Sequence, residues 1–266
     1  MPTPLENAYA VCKNTLTEQV QGTCGLYSFW YASVMLLTLE KMETDKRLGV
    51  PTTAAPTKVD FLPRKHPNAM PHINWAVDTR ATESLRSYAK KGLSSGQGEI
   101  LSADEMGRLI NHFGYNYRLP LQGQAKKGFI SEFLSHNRPV IFAYTMSDNG
   151  PTKALPNDVR GDDIGSHFSL IIAETADKYR CINPWYPDQL KEYSKTGVLE
   201  SNANVDNHIY PRFWGKRFAG DLTPFGNNRV EALKQALKGG GVESFYDIGQ
   251  GGRKQNLKDV LVAVWK

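Results

Sequence analysis

Cys24, His167 and Asn183 lie far apart in the chain, and their types are those that nucleophilic acyl chemistry requires. Cys24, within QGTCGLYSFW, stands at the start of a long apolar run. A thiol at the N-terminal end of a buried helix feels the positive end of the helix dipole, and an imidazolium nearby completes the thiolate that attacks carbonyls. Gly25 lets backbone come close, and the helix behind it holds the nucleophile rigidly. His167 follows Gly165-Ser166 and leads the apolar run FSLIIA, so the base arrives at the start of a strand from a distant part of the chain. Asn183 ends the next strand, because Pro184 cannot continue a ladder. At one edge of the sheet its amide oxygen can accept from the imidazole and fix the tautomer, the orienting role in Cys-His-Asn triads. A tetrahedral intermediate also needs donors for its oxyanion; Gln19, with the Cys24 backbone N–H, is the candidate, and Gln21 is the reserve.

Taken singly these residues are ordinary. A lone cysteine is usually a small buried residue, a histidine opening a strand usually structural, and Asn-Pro usually a turn. Their order, each on the element the chemistry requires, is what singles them out. Cys24 and His167 are expected to face a cleft and to stay outside the core. Cys12 and Cys181 lack the Cys-Gly-helix context, and Cys181 reads as strand core. His66 and His72 sit in a proline-rich loop without a cysteine or carboxylate partner and read as surface residues, so no metal is expected. Asp162 and Asp163 read as a solvated acidic loop. Gly239 to Gly241 and the later Gly249-Gln-Gly-Gly do not join strand to helix as a phosphate loop must, and no cofactor is expected.

These residues need a helix and a sheet to hold them. The stretch Thr23 to Met42 is apolar on almost every face and predicts a helix buried in the domain. Further helices are predicted over Thr79–Lys91, over Ala103–Phe113 and over Lys127–Ser135. The second of these has Ser102 as N-cap, Glu105 at the capping-box position and Gly114 as its stop. Strands are predicted at Val140–Tyr144, from His167 through FSLIIA, at Tyr179–Ile182 and in the final DVLVAVW, with a helix near Arg229–Leu237. Two polar loops, Gly49–His72 and Met146–Ser166, break this pattern. Helices first and strands later predict an α+β fold in one domain over residues 1–266, a helical lobe over about 16–135 and a sheet lobe over about 136–266, with the site between them.

A chain of 266 residues with 40% hydrophobic and 22% charged residues is long and apolar enough for a real core. The start of the chain has no cationic segment followed by an apolar run, and the longest apolar stretch, Leu26–Leu39, is interrupted by Ser28, Ser33 and Thr38, so neither a secretion signal nor a membrane span is expected. Three cysteines without a Cys-x-x-Cys pair fit neither a disulfide framework nor a structural zinc site and point to a reducing compartment. The net charge of +5 is carried by scattered pairs such as Lys90-Lys91, Lys126-Lys127 and Lys216-Arg217. No nucleic-acid motif accompanies them; a solvated basic surface, or attraction to an acidic protein substrate, accounts for the charge.

The pattern Gln19-x4-Cys24-Gly25, followed by GSHFSLIIAE and INPW, resembles the papain-like cysteine peptidases and, within them, the branch that processes bacteriocin leaders. A closer resemblance is to the actin maturation proteases, carried by QGTCGLYSFWYA, by the connector GQGEILSADEMGRL, by PVIFAY and by the His167 strand. It spans roughly residues 16 to 195. The resemblance implies a papain-like fold, with a helical half that buries the nucleophile helix against an antiparallel sheet half. It implies Cys24, His167 and Asn183 as catalytic residues, Gln19 as oxyanion donor, and Trp185 as a shield over the histidine–asparagine hydrogen bond. Where an aspartate is expected as third member the chain has Asn183, and Asp188 is a possible substitute. The implied activity is peptide-bond hydrolysis through a thioester acyl-enzyme, in the cytoplasm or in a host cytoplasm after delivery. The implied substrate is a protein N-terminus, actin first, with neither nucleic acid nor membrane as partner. Deamidation or acyl transfer by the same triad, and a catalytically silent binding module, are the alternatives.

Overall fold

The apolar run that begins at Cys24 folds as one helix to Arg47, and every residue from Cys24 to Leu36 is buried. The three polar residues that interrupt the run lie in its interior, and two satisfy themselves locally: the Ser33 hydroxyl donates to the Trp30 carbonyl at 2.7 Å and Thr38 to that of Val34 at 2.7 Å. The computed structural model describes residues 2–19, 24–52, 85–93, 100–145, 166–205 and 256–266. A helix not anticipated from sequence, Pro4–Cys12 (α1), precedes the long one (α2) and packs on it. Thr3 caps α1 through a reciprocal pair with Glu6, and Glu6 also pairs with Arg180, which ties the helix to the sheet.

Helix Leu85–Gly92 (α3) coincides with the described part of its predicted span, whose first residues lie outside the described ones, and Ala103–His112 (α4) occupies nearly all of its own. The Ser102 hydroxyl accepts from the Glu105 N–H at 3.2 Å, as the N-cap prediction requires. The capping box does not close, however: the Glu105 carboxylate accepts from the Leu101 N–H at 2.7 Å. Gly114, at φ 79°, supplies the left-handed residue that ends α4, with the Tyr115 N–H returning to the Ile110 carbonyl at 3.1 Å. Helix Lys126–Ser135 (α5) leads into the strands.

Among the described residues, six strands form one antiparallel sheet: Asn116–Arg118 (β1), Val140–Thr145 (β2), Ser166–Glu174 (β3), Lys178–Ile182 (β4), Leu190–Ser194 (β5) and Leu261–Trp265 (β6), in the order β1-β6-β2-β3-β4-β5. Helix Lys195–Ala203 (α6) follows β5. The described residues thus form a mixed helix and antiparallel-sheet, α+β, arrangement. Because side chains alternate along a strand, the sheet has two apolar faces. Ile141, Ala143, Phe168, Leu170, Val262 and Val264 meet α1, α2 and α4, whereas Val140, Phe142, Tyr144, Ile171, Leu261 and Ala263 meet α5 and α6. Helices cover both faces, so the strands read as continuous apolar runs. The first-half strand β1 belongs to the same sheet by its pairing with β6.

Two buried polar residues of α6 hold the end of β2. The Ser201 hydroxyl accepts from the Thr145 N–H at 3.1 Å, and Asn202 donates to the carbonyls of Ala143 and Val260 at 2.8 and 2.9 Å, where β2 and β6 part. That end carries Tyr144.

Candidate active site

β2 and β3 run antiparallel with Tyr144 directly opposite His167, so both side chains stand on the α5/α6 face of the sheet. On β4, Ile182 pairs with Leu170 as the last rung of the ladder, and Asn183 follows it directly, at the end of the sheet where β3 begins with Ser166 and His167. The predicted meeting of histidine and asparagine at one sheet edge is what the register produces: His167 Nε2 lies 3.1 Å from Asn183 Oδ1.

Three neighbours settle which way the Asn183 amide points. The Trp185 N–H can only donate, and it donates to Oδ1 at 2.9 Å, closing a turn around Pro184. The same oxygen faces His167, whose Nε2 therefore carries the proton of that bond. On the other side, Nδ2 donates to the Tyr144 hydroxyl at 3.3 Å, and the Ser169 hydroxyl donates to the same Tyr144 oxygen at 3.4 Å. The Trp185 ring stacks on His167, with centroids 4.3 Å apart and planes 23° from parallel, while Tyr144 meets the imidazole at 89° and 5.4 Å. The expected aromatic cover is in place. His167 keeps 2% of its surface and Asn183 none, so the pair is more enclosed than a position on an open cleft predicts.

Cys24 is the first residue of α2 and, at 9% exposure, is buried within the core cluster that α2 forms, not outside the core as expected. Its neighbour Gly25 places it beside the histidine strand: a Cβ on Gly25 would come within 2.9 Å of Ile100 Cβ and 3.3 Å of the ring of Phe168, the residue after His167. Only a residue without a side chain lets the first turn of α2 approach so closely. Gly25→Ala is accordingly expected to push the start of α2 outward and to raise the rate at which iodoacetamide modifies the buried Cys24 by several-fold. An alkylation rate equal to that of wild type would show that the contact does not set the position of Cys24.

Gln19, buried at 9%, is tied through its backbone to the turn that follows β4. Its N–H donates to the Pro184 carbonyl at 2.8 Å, directly beside Asn183. The Tyr31 hydroxyl of α2 donates to the Thr17 carbonyl at 2.6 Å and lies 3.5 Å from that of Pro184, and the Tyr9 hydroxyl of α1 donates to the Pro187 carbonyl at 3.0 Å. Burial raises the pKa of both hydroxyls well above the ordinary tyrosine range, so they stay protonated donors. Through these bonds the segment before Cys24 and the turn after β4 form one unit.

Asp188, the other candidate to orient the imidazole, is exposed, and the bond from His167 goes to Asn183. Cys12 and Cys181 are fully buried, and burial pushes the Cys12 thiol up to about 12. Gln21, His66, His72, Asp162, Asp163, the helix near Arg229–Leu237 and the glycine runs 239–241 and 249–252 lie outside the described residues. Among the described residues no group of three or more His, Cys, Asp or Glu is placed to hold a metal ion, and no helix is long and apolar enough to cross a membrane.

Tyr144, Ser169 and Tyr31 join the site without having been singled out in the sequence. PVIFAY reads as a plain core strand, and only its pairing with β3 reveals that its last aromatic residue sits opposite His167. Compared with known proteins, the chain matches no family model and no curated sequence.

Proposed function

We propose that the chain is a papain-like cysteine peptidase with Cys24 as nucleophile, His167 as general base and acid, Asn183 as the residue that orients the base, and Gln19 with the Cys24 backbone N–H as oxyanion donors. The observation that carries the reading is the buried His167–Asn183 hydrogen bond under the Trp185 ring, at the end of the sheet that Gly25 places against the start of α2.

With Nε2 committed to Asn183, proton exchange with the thiol falls to Nδ1 of His167. The Cys24 thiolate adds to the substrate carbonyl, and the tetrahedral intermediate places its negative charge on the former carbonyl oxygen, where the Cys24 N–H and the Gln19 amide donate to it. Collapse breaks the C–N bond as the imidazolium passes its proton to the leaving amine, and a thioester remains on Sγ. Water then attacks the thioester as His167 takes its proton, and collapse breaks the C–S bond with Sγ leaving as the thiolate, which releases the acid and restores the thiolate–imidazolium pair. Asn183 holds the ring in the tautomer both half-reactions need. The nearly enclosed imidazole excludes bulk water from its bond to Asn183, which strengthens that bond.

The substrate class is an acidic, blocked protein N-terminus, with actin the first candidate. Support comes from the resemblance to the actin maturation proteases and from a net charge of +5. Lys58, Arg64, Lys65, Lys153 and Arg160, in the two polar loops, are the cations assigned to steering; they lie outside the described residues. Incubation with N-terminally acetylated actin peptides, read by mass, is expected to show loss of the terminal residue, faster at low salt than above about 0.15 M. A gain of about one mass unit without cleavage would establish deamidation instead, and an internal cut in a neutral peptide would overturn the trimming assignment.

A further inference from the structure

The hydroxyl of Tyr144 is positioned to act on the base through the asparagine. We propose that Tyr144, backed by Ser169, is a positioning residue that holds the Asn183 amide in its working orientation; the proposal rests on the reading of His167 and Asn183 as base and orienter.

An asparagine amide has two orientations of nearly equal shape, related by a half-turn about its last bond. Only one places Oδ1 against His167 Nε2. The other would set the NH2 group against that ring nitrogen and against the Trp185 N–H, donor against donor. The Trp185 N–H anchors the oxygen at 2.9 Å, and the Tyr144 hydroxyl receives the nitrogen at 3.3 Å. Tyr144 is well placed to stay put. It is fully buried, its ring stacks on Phe142 at 5.2 Å, and the α6 residues Ser201 and Asn202 bond the backbone of its two neighbours on β2. The Ser169 hydroxyl donates to the Tyr144 oxygen at 3.4 Å, so a polar chain runs Ser169, Tyr144, Asn183, His167 from β2 and β3 to the residue that follows β4. A polar pair in an otherwise apolar layer of Val140, Phe142 and Ile171 is costly unless it has a task, and bonding the asparagine is the task the geometry gives it.

Tyr144→Phe keeps the ring and removes only the hydroxyl. The test compares wild type, Tyr144→Phe and Ser169→Ala by thermal unfolding, by the ring-nitrogen chemical shifts of His167 in histidine-labelled protein, and by steady-state kinetics on a peptide that wild type cleaves. In wild type the neutral His167 ring is expected as the Nε2–H tautomer. In Tyr144→Phe a mixture of tautomers is expected, with kcat lowered about tenfold and KM within about twofold, because the base is less often correctly presented while substrate contacts are untouched. Ser169→Ala, one bond further away, should show the same changes in smaller measure. A Tyr144→Phe protein whose His167 spectrum is that of wild type overturns the proposal, as does a fall in kcat that only tracks loss of folded protein. Failure of the peptidase reading is told apart by Cys24→Ala: turnover retained there sinks that reading, while the His167 spectrum, which requires no substrate, still decides the role of Tyr144.

Discussion

Cys24→Ala is expected to abolish turnover, a loss of at least about 10⁴-fold, with the fold unchanged. The substitution removes one sulfur atom from the first residue of α2 and leaves the Cβ that packs there. No other described thiol can take its place. Cys12 is fully buried with its thiol pushed up to about 12, so at neutral pH it offers almost no thiolate, and Cys181 is fully buried within β4. A small electrophile such as iodoacetamide at pH 7 should therefore modify Cys24 alone, and the modified protein should be inactive. Peptide mapping after limited alkylation reads the result directly. Wild-type turnover by Cys24→Ala, or alkylation that reaches Cys12 or Cys181 first, would refute the assignment of the nucleophile.

Loss of His167 should be nearly as severe and should leave a second mark on the thiol. Because the ring is stacked on Trp185 and almost wholly enclosed, His167→Ala also opens a cavity; His167→Gln, which retains bulk and polarity, separates chemistry from packing. Both variants are expected to lose turnover by about 10³-fold or more, with far-ultraviolet circular dichroism of the glutamine variant like that of wild type. Alkylation of Cys24 at neutral pH should slow as well, since the imidazolium that favours its thiolate is gone, and should recover as pH rises toward the ordinary cysteine range. Asn183→Ala should be milder, about 10- to 100-fold, because the base remains and only its orientation is lost. Unchanged alkylation of Cys24 in both histidine variants would mean that the two residues do not form a pair.

The placement of His167 beside Asn183 was legible in the chain because it depends on a local device. β3 and β4 are consecutive antiparallel strands, so the start of one must lie by the end of the other, and Pro184 fixes where the second ends. The helix that begins at Cys24 was equally legible: a segment apolar on all sides has no solvated face and can only be buried, and Cys24 to Leu36 are. Ser102 and Gly114 marked the ends of α4 through bonds made within a few residues. The sequence thus determined the site residues as candidates, the elements that carry them and the α+β class.

Tertiary structure alone decided what depends on partners remote in sequence. The cues of β1, β5 and α6 are weak, since these elements are short and owe their stability to the sheet they pack on or extend, whereas α1 carried a local signal, Thr3 and Glu6 in capping-box spacing around Pro4, that the sequence reading passed over. The second helical face, built from α5 and α6, was invisible because strands buried on both sides show no alternation. Glu105 left its expected capping partner for the Leu101 N–H, a choice between two nearby donors that a spacing rule cannot make. Tyr144 is the clearest case. On its own strand it is one apolar residue among several, and only the pairing of β2 with β3 sets its hydroxyl against Asn183. Types and local order name the groups that can do chemistry; strand register and close helix packing determine which of them meet, because contacts across the sheet join residues that the chain keeps far apart.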